Sequence, residues 1–441
     1  MSYRFASDFP PSVTYLTERF GHSDLASALD RLCRRHLGKS SPAQAPPPDS
    51  SVLVVRTANH PWEVLSEASL ELLFPNRRKP CLFFMPKGYA WSGGYTGDVE
   101  AEVVTTADHL IQAIGQINPH SLYLQVGPHT KSEFLAGLIT ARFPALRLIV
   151  EFYDMSCFFS DTIQRDVRDC TAEDIEDSWA GIAAALTLAD DVIVKAGGDD
   201  WLRFSETAAA RCHTFFPMLD NAFLIDQGDA ARRAWKPADA IRVLFGGAVT
   251  ASELEHGPER TPGANFLRYF EAIGRSENCA IDVFNAADRG DGEGRFATLR
   301  SWCAGFDGKV RYHPAIGQAD LLARHSSADF GFFCVHYPED PVEHVGRMAI
   351  PNRMMTHVCG GVPVIVDDRA ALMADLVRRF DAGVVIDPAD LADLPNLVAG
   401  RDMATLRAGI QEMKSWMLSQ NQVCLDALRM VHQVPSAIHR H

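Results

Sequence analysis

The sequence has no long hydrophobic run. Its longest uncharged apolar stretch of note, Ser178 to Ala189, ends at Asp190, short of the roughly 20 residues that a membrane-spanning helix needs. A basic-then-apolar secretion signal is missing too, since the opening residues MSYRFASDFP are mixed in character. Basic charge is in deficit: 42 Lys and Arg against 56 Asp and Glu leave a net charge of −14. A broad nucleic-acid-binding face needs the opposite balance, so only a local basic pocket is compatible with it. None of the ten cysteines forms Cys-x-x-Cys, and none of the sixteen histidines forms His-x-x-x-His. The expectation is therefore a cytoplasmic protein with buried free thiols, no metal site and no bound cofactor.

What is present is ordinary globular material, 47% hydrophobic and 22% charged over 441 residues. That length suggests two or three domains. Residues 12–37 read as a helix with Leu25, Leu29, Leu32 and Cys33 on one face, and the proline-rich stretch 39–50 then reads as a linker. The segment 1–50 is thus an appendage, open to docking a partner or pairing two copies of the chain.

From residue 51 short apolar runs alternate with helical stretches. The runs are 51–57, 81–86, 121–127, 146–154, 191–198 and 212–218, with helices near 62–73, 107–117, 130–142 and 172–187. A polar break at 227–240 interrupts the pattern. It restarts with runs at 241–247, 280–286, 309–314, 329–337, 362–368 and 383–388, and helices near 263–274, 294–304, 317–326, 351–359 and 370–380. Continuously apolar strands separated by helices predict parallel sheets covered on both faces. The expected architecture is α/β, with two Rossmann-like doubly wound domains, 51–226 and 241–400, facing a cleft. The helix 402–432, in the segment 401–441, is too long for one βα step and is expected to pack back toward the first domain.

Several strand ends carry candidate chemistry. LFGGAVTAS (244–252) places Gly246 and Gly247 where a backbone can approach a diphosphate, with Thr250 and Ser252 as hydroxyl donors. A helix starting at Pro351 offers free N–H groups to an anion, and Arg353 is a fork-shaped cation beside them. Gly360-Gly361 then allow a tight exit. In the first half, IVEFYDMSCFF (149–159) ends a strand with Asp154, a candidate general base that reads about as well as a cap or a salt-bridge partner. His129 stands at the start of a helix, where Thr130 and Glu133 also form a capping-box pattern. PKGYAWSGGYTGD (86–98) interleaves Tyr89, Trp91 and Tyr95 with small residues, which suits stacking on sugar rings or burial in the core.

The stretch 309–388 resembles the donor-binding half of GT-B glycosyltransferases, most closely the family-four-like group. The resemblance rests on KVRYHP followed by a helix and SSADFGFF, on PNRMMTHVCGGVPVIVDD, and on GVVIDPADLADL. It implies a nucleotide-sugar donor in the second domain, held by Gly246, Gly247, Thr250, His313, Arg353, Thr356 and Gly361, with no metal. It also implies a glycan or glycoconjugate acceptor in the first domain. The family's two glutamates are replaced by Met348 and Thr356, and Tyr153 stands where the family often has histidine. The acidic cluster Glu339, Asp340 and Glu343 lies upstream, and Glu339 is a candidate replacement. The implied activity is transfer of a sugar to an acceptor hydroxyl. Two alternatives stay open: a GT-B nucleotide-sugar epimerase using Glu339, Glu343 and His313 or His344, or an inactive binding subunit.

Overall fold

A computed structural model describes residues 22–37, 49–57, 70, 73–75, 77–85, 101–127, 131–158, 170–206, 208–217, 240–249, 254, 266–290, 294, 296–334 and 347–433. The chain divides into two compact units, Met1–Pro217 with Gln420–His441, and Met218–Ser419.

The first unit opens with helix α1 (His22–His36), followed by strands β1 (Asp49–Arg56), β2 (Cys81–Phe84) and β3 (Ala101–Val104). Then α2 (Ala107–Ile117), β4 (Pro119–Val126), α3 (Phe134–Arg142), β5 (Arg147–Phe152), α4 (Ala172–Leu188), β6 (Asp191–Val194), α5 (Gly198–Ser205) and β7 (Arg211–Thr214) alternate. All strand pairings are parallel, in the order β3-β2-β1-β4-β5-β6-β7. The inner strands carry apolar runs such as VLVV, CLFF and VIV because helices cover both faces. β3 escapes the sequence pattern because, of its four residues, Val104 alone is buried. Helix α1 closes on its own unit. Leu25, Ala28 and Leu32 are buried against α3 and α4, Arg35 and His36 reach Asp177 at 2.7 and 2.8 Å, and His36 stacks on Phe134 at 4.3 Å.

The second unit runs β8 (Ile241–Gly247), α6 (Leu267–Arg275), β9 (Cys279–Asn285), α7 (Ala297–Ala304), β10 (Val310–Pro314), α8 (Gln318–His325) and β11 (Phe330–Phe333). It continues with α9 (Asn352–Cys359), β12 (Val364–Asp367), α10 (Ala371–Phe380), β13 (Gly383–Ile386) and α11 (Leu394–Ala399). Its parallel sheet has the order β10-β9-β8-β11-β12-β13. Phe245, Phe266 and Phe270 pack ring against ring, with centroids 5.0 to 6.3 Å apart, in its main core.

Helix α12 (Met403–Gln433) begins in the second unit and ends in the first. Its Cys424, Leu425 and Leu428 join the first unit's core with Val54, Tyr123 and Ile149, and Asn421 bonds both backbone groups of Phe216 at 2.8 Å. No helix of the described residues is long and apolar enough to cross a membrane.

Candidate functional site

Each sheet reverses its winding at one place, between β1 and β4 in the first unit and between β8 and β11 in the second. Chains leaving neighbouring strands there diverge to opposite faces, which opens a crevice at the strands' carboxyl ends. At the second unit's reversal, Arg353 in the first turn of α9 meets the loop that follows β8. Its Nη2 donates to the Ala248 carbonyl at 3.3 Å. Its guanidinium lies 4.4 Å from the Phe266 ring and 5.3 Å from Phe245. A side chain at Gly247 would overlap Arg353 Nε and Cδ, so the glycine is there to admit the arginine. At Gly246 a Cβ would sit 3.0 Å from the Leu321 side chain of α8.

Helix α9 starts after Pro351 with no side-chain cap and no acidic residue in its first turn. Such an end favours an anion. Thr356, one turn on, is buried and spends its hydroxyl on the Asn352 carbonyl at 3.0 Å, as helix-interior threonines do. Gly361 belongs elsewhere. It takes φ +62° at the far end of α9, about 12 Å from the helix start, where it turns the chain into β12. That is the tight exit expected of the Gly360-Gly361 pair. Met348, at one of the family's glutamate positions, is buried.

His313 comes one residue before the end of β10. Its Nε2 bonds Asp282 at 2.8 Å and its ring stacks on Phe284 at 4.5 Å, nearly parallel at 14°. Arg311 also holds Asp282. Burial pushes the Asp282 carboxyl up, but His313 and Arg311 more than offset this and hold it below its ordinary range.

In the first unit Asp154 lies beyond the end of β5, two strands from the reversal. Its carboxylate pairs with buried Lys195 at 3.2 Å, and the lysine sits 3.8 Å over the Tyr153 ring. Burial works against that ammonium, yet Asp154 and then Tyr153 raise it above the usual lysine value. Asp154 is thus matched by a cation, not poised as a lone base. Glu133 occupies the N-cap of α3, and its carboxylate accepts from the Ser156 amide at 2.7 Å.

His129, Glu339, Thr250, Tyr89, Trp91 and Tyr95 lie outside the described residues, as do Thr130, Ser252, Asp340, Glu343 and His344. Among the described residues no group of three or more His, Cys, Asp or Glu side chains gathers in a way that would hold a metal.

Two residues carry contacts that the sequence pattern did not single out. Asn285 ends β9 and Lys195 follows β6. Each is the first polar residue after a short apolar run, VF in DVFN and VIV in DVIVK, and that position is the signal that could have found them.

Against solved structures, the chain is similar to a sucrose-phosphate synthase from Thermosynechococcus elongatus, with TM-score 0.56, 13% identity, and coverage of 87% of this chain and 98% of that one. It is also similar to a glycosyltransferase from Rickettsia africae, with TM-score 0.53, 10% identity, and coverage of 87% and 98%. A lipopolysaccharide outer core galactosyltransferase in its apo form gives TM-score 0.53, 8% identity, and coverage of 86% and 99%. The fold is GT-B. No protein-family model matches the sequence, and no curated protein matches it significantly. Within the GT-B fold, the Arg353–Ala248 contact sits at the sheet reversal of the C-terminal unit.

Proposed function

We propose that the chain is a glycosyltransferase that moves a sugar, of hexosyl type, from a nucleotide-activated donor to a hydroxyl of a glycan or glycoconjugate. The second unit would hold the nucleotide and the first the acceptor. The observation that carries this is the meeting of two segments about a hundred residues apart, the β8 loop and the uncapped start of α9, around Arg353 at the sheet reversal. A guanidinium beside a helix N-terminus that lacks a side-chain cap would stabilise the departing diphosphate, the charge that develops as the sugar leaves. The solved structures of similar fold support the class, since two of them are a glycosyltransferase and a galactosyltransferase. The proposal includes a cytoplasmic location and a reaction without metal or cofactor.

A second reading is a binding subunit without turnover. It is favoured by the buried Met348, by the Thr356 hydroxyl being spent inside α9, and by the pairing of Asp154 with Lys195. Thermal-shift screening against uridine, guanosine, cytidine and thymidine diphosphates tests nucleotide binding. Arg353→Ala should weaken binding about tenfold or more, the value of a lost charge-assisted hydrogen bond, while leaving the melting midpoint nearly unchanged. Unchanged affinity would refute the site. Incubation with nucleotide sugars then separates transfer from donor isomerisation and from binding alone.

A further inference from the structure

The loop that receives Arg353 is held by one buried side chain. β8 and β9 pair as far as Gly247 opposite Asn285, and the ladder ends there. Beyond it the Asn285 carboxamide takes over the backbone's part. Its Oδ1 accepts from the Val249 amide at 2.9 Å and the Ala287 amide at 3.0 Å. Its Nδ2 donates to the Val249 carbonyl at 2.9 Å and to Tyr312 Oη at 3.0 Å. Four bonds are all that a carboxamide can make, and Asn285 is fully buried. Val249 is therefore clasped at both its N–H and its C=O, and Ala248 immediately before it is the carbonyl that Arg353 reaches.

The amide's orientation is itself dictated. Asp288 Oδ2 accepts from Tyr312 Oη at 2.7 Å and from Arg300 Nη2 at 2.7 Å. Tyr312 has one proton and gives it to this carboxylate, so toward Asn285 its oxygen can only accept. That places Nδ2, not Oδ1, against the tyrosine, and leaves Oδ1 to face the two amides. The direction of donation runs from Asn285 to Tyr312 to Asp288. Burial pushes the Asp288 carboxyl up, but Arg300 and Tyr312 hold it below its ordinary range, so it stays an acceptor.

We propose that Asn285 is the positioning residue of the anion-binding loop, acting through Val249 and Ala248 on the placement of Arg353, with the Tyr312–Asp288 pair fixing its orientation. This rests on the reading of the Arg353 site as an anion site. Asn285→Asp keeps the shape but presents oxygen where Val249 and Tyr312 require a donor. Tyr312→Phe removes the orienting hydroxyl without touching the loop. Inorganic pyrophosphate is the titrant, with Arg353→Ala as the control and melting midpoints measured alongside. Asn285→Asp should lose about tenfold or more in pyrophosphate affinity, and Tyr312→Phe roughly threefold, in protein that remains folded. A purely structural network would lower the midpoint and leave the affinity of the folded protein alone. That result, with Arg353→Ala still losing affinity, overturns the proposal. If Arg353→Ala binds as the parent does, it is the anion site that fails. Hydrogen exchange over residues 244–249, which needs no ligand, then decides on Asn285. Faster exchange in both variants upholds the clasp, and unchanged exchange rejects it. Should Asn285→Asp fail to fold, Tyr312→Phe carries the same comparison.

Discussion

At one edge of each sheet an Arg-x-His strand clasps an aspartate of the neighbouring strand. In the first unit Arg211 and His213 of β7 hold Asp191 of β6 at 2.7 and 2.8 Å. In the second, Arg311 and His313 of β10 hold Asp282 of β9 at 2.5 and 2.8 Å. The register matches too, with Asp191 opposite Arg211 and Asp282 opposite Arg311. Burial separates them. The Asp191 side chain is 0% exposed and begins its strand, whereas Asp282 is 26% exposed and His313 is 38% exposed at the carboxyl end of β10. The same three residue types make a structural clasp in one unit. In the other they hold an imidazole, backed by Phe284, near the carboxyl end of an edge strand.

The largest expected effect follows from that burial. Asp191→Asn removes a buried charge from two cationic partners and should cost the first unit about 2–4 kcal/mol, tempered because Arg211 can turn to solvent. Asp282→Asn, at a partly exposed pair, should cost less than about 1 kcal/mol. Urea unfolding of both variants reads the difference directly, and equal losses would erase the distinction between the two clasps.

Acid should separate the units next. In the second unit His325 and His357 are buried and share a hydrogen bond at 2.9 Å, with His325 Nδ1 bonded to the Leu321 carbonyl at 2.8 Å. Burial, then the neighbouring His325, depresses His357 well below its usual value. The unfolded chain takes up that proton near pH 6.5 and the folded one does not, so stability is intact above about 6.5 and falls as the pH drops below it. The slope is about 1.4 kcal/mol per pH unit for one withheld proton. In the first unit Asp191 is instead held below its ordinary carboxylate range: burial raises it, but His213 and Arg211 outweigh burial. Its contribution persists until the pH falls below about 4. Between about pH 6 and 4.5, hydrogen exchange corrected for intrinsic rate should therefore accelerate in α8, α9 and β11 before it does in β5 and β6. Simultaneous loosening would show that the imidazole pair does not set the acid limit of the second unit.

The sequence revealed these two regions unequally. Apolar runs such as VLVV and VIVD announced the sheets because a parallel strand is buried on both faces, and burial is a local composition signal. β3 hid because it is an edge strand with one buried residue, and α5 hid because its opening Gly-Asp-Asp reads as a turn. Arg353 stood out because it sits in an ordered motif beside a proline-initiated helix. The contacts of Asn285 did not, because its partners Val249 and Tyr312 are distant in sequence and meet it only in the fold. At Gly247 the group that comes close in the structure is the chain's own Arg353, which strand composition does not foretell.

The sharpest test of the comparison belongs to the two histidines. His213 is 14% exposed and bonded to a buried carboxylate, so His213→Ala should destabilise the first unit by about 1–2 kcal/mol and leave nucleotide binding untouched. His313→Ala should change stability by less than about 1 kcal/mol, because its bond to Asp282 is partly in solvent and Arg311 still holds that aspartate. Its cost should appear in ligand affinity, since the lost ring is a stacking face worth roughly 1 kcal/mol, or a few-fold, to a planar group lying on it. Titrating both variants with the nucleoside diphosphate that most raises the parent's melting midpoint measures that cost. If His313→Ala keeps full affinity, its clasp is as purely structural as the one around Asp191, and the second unit's edge loses its claim on the ligand.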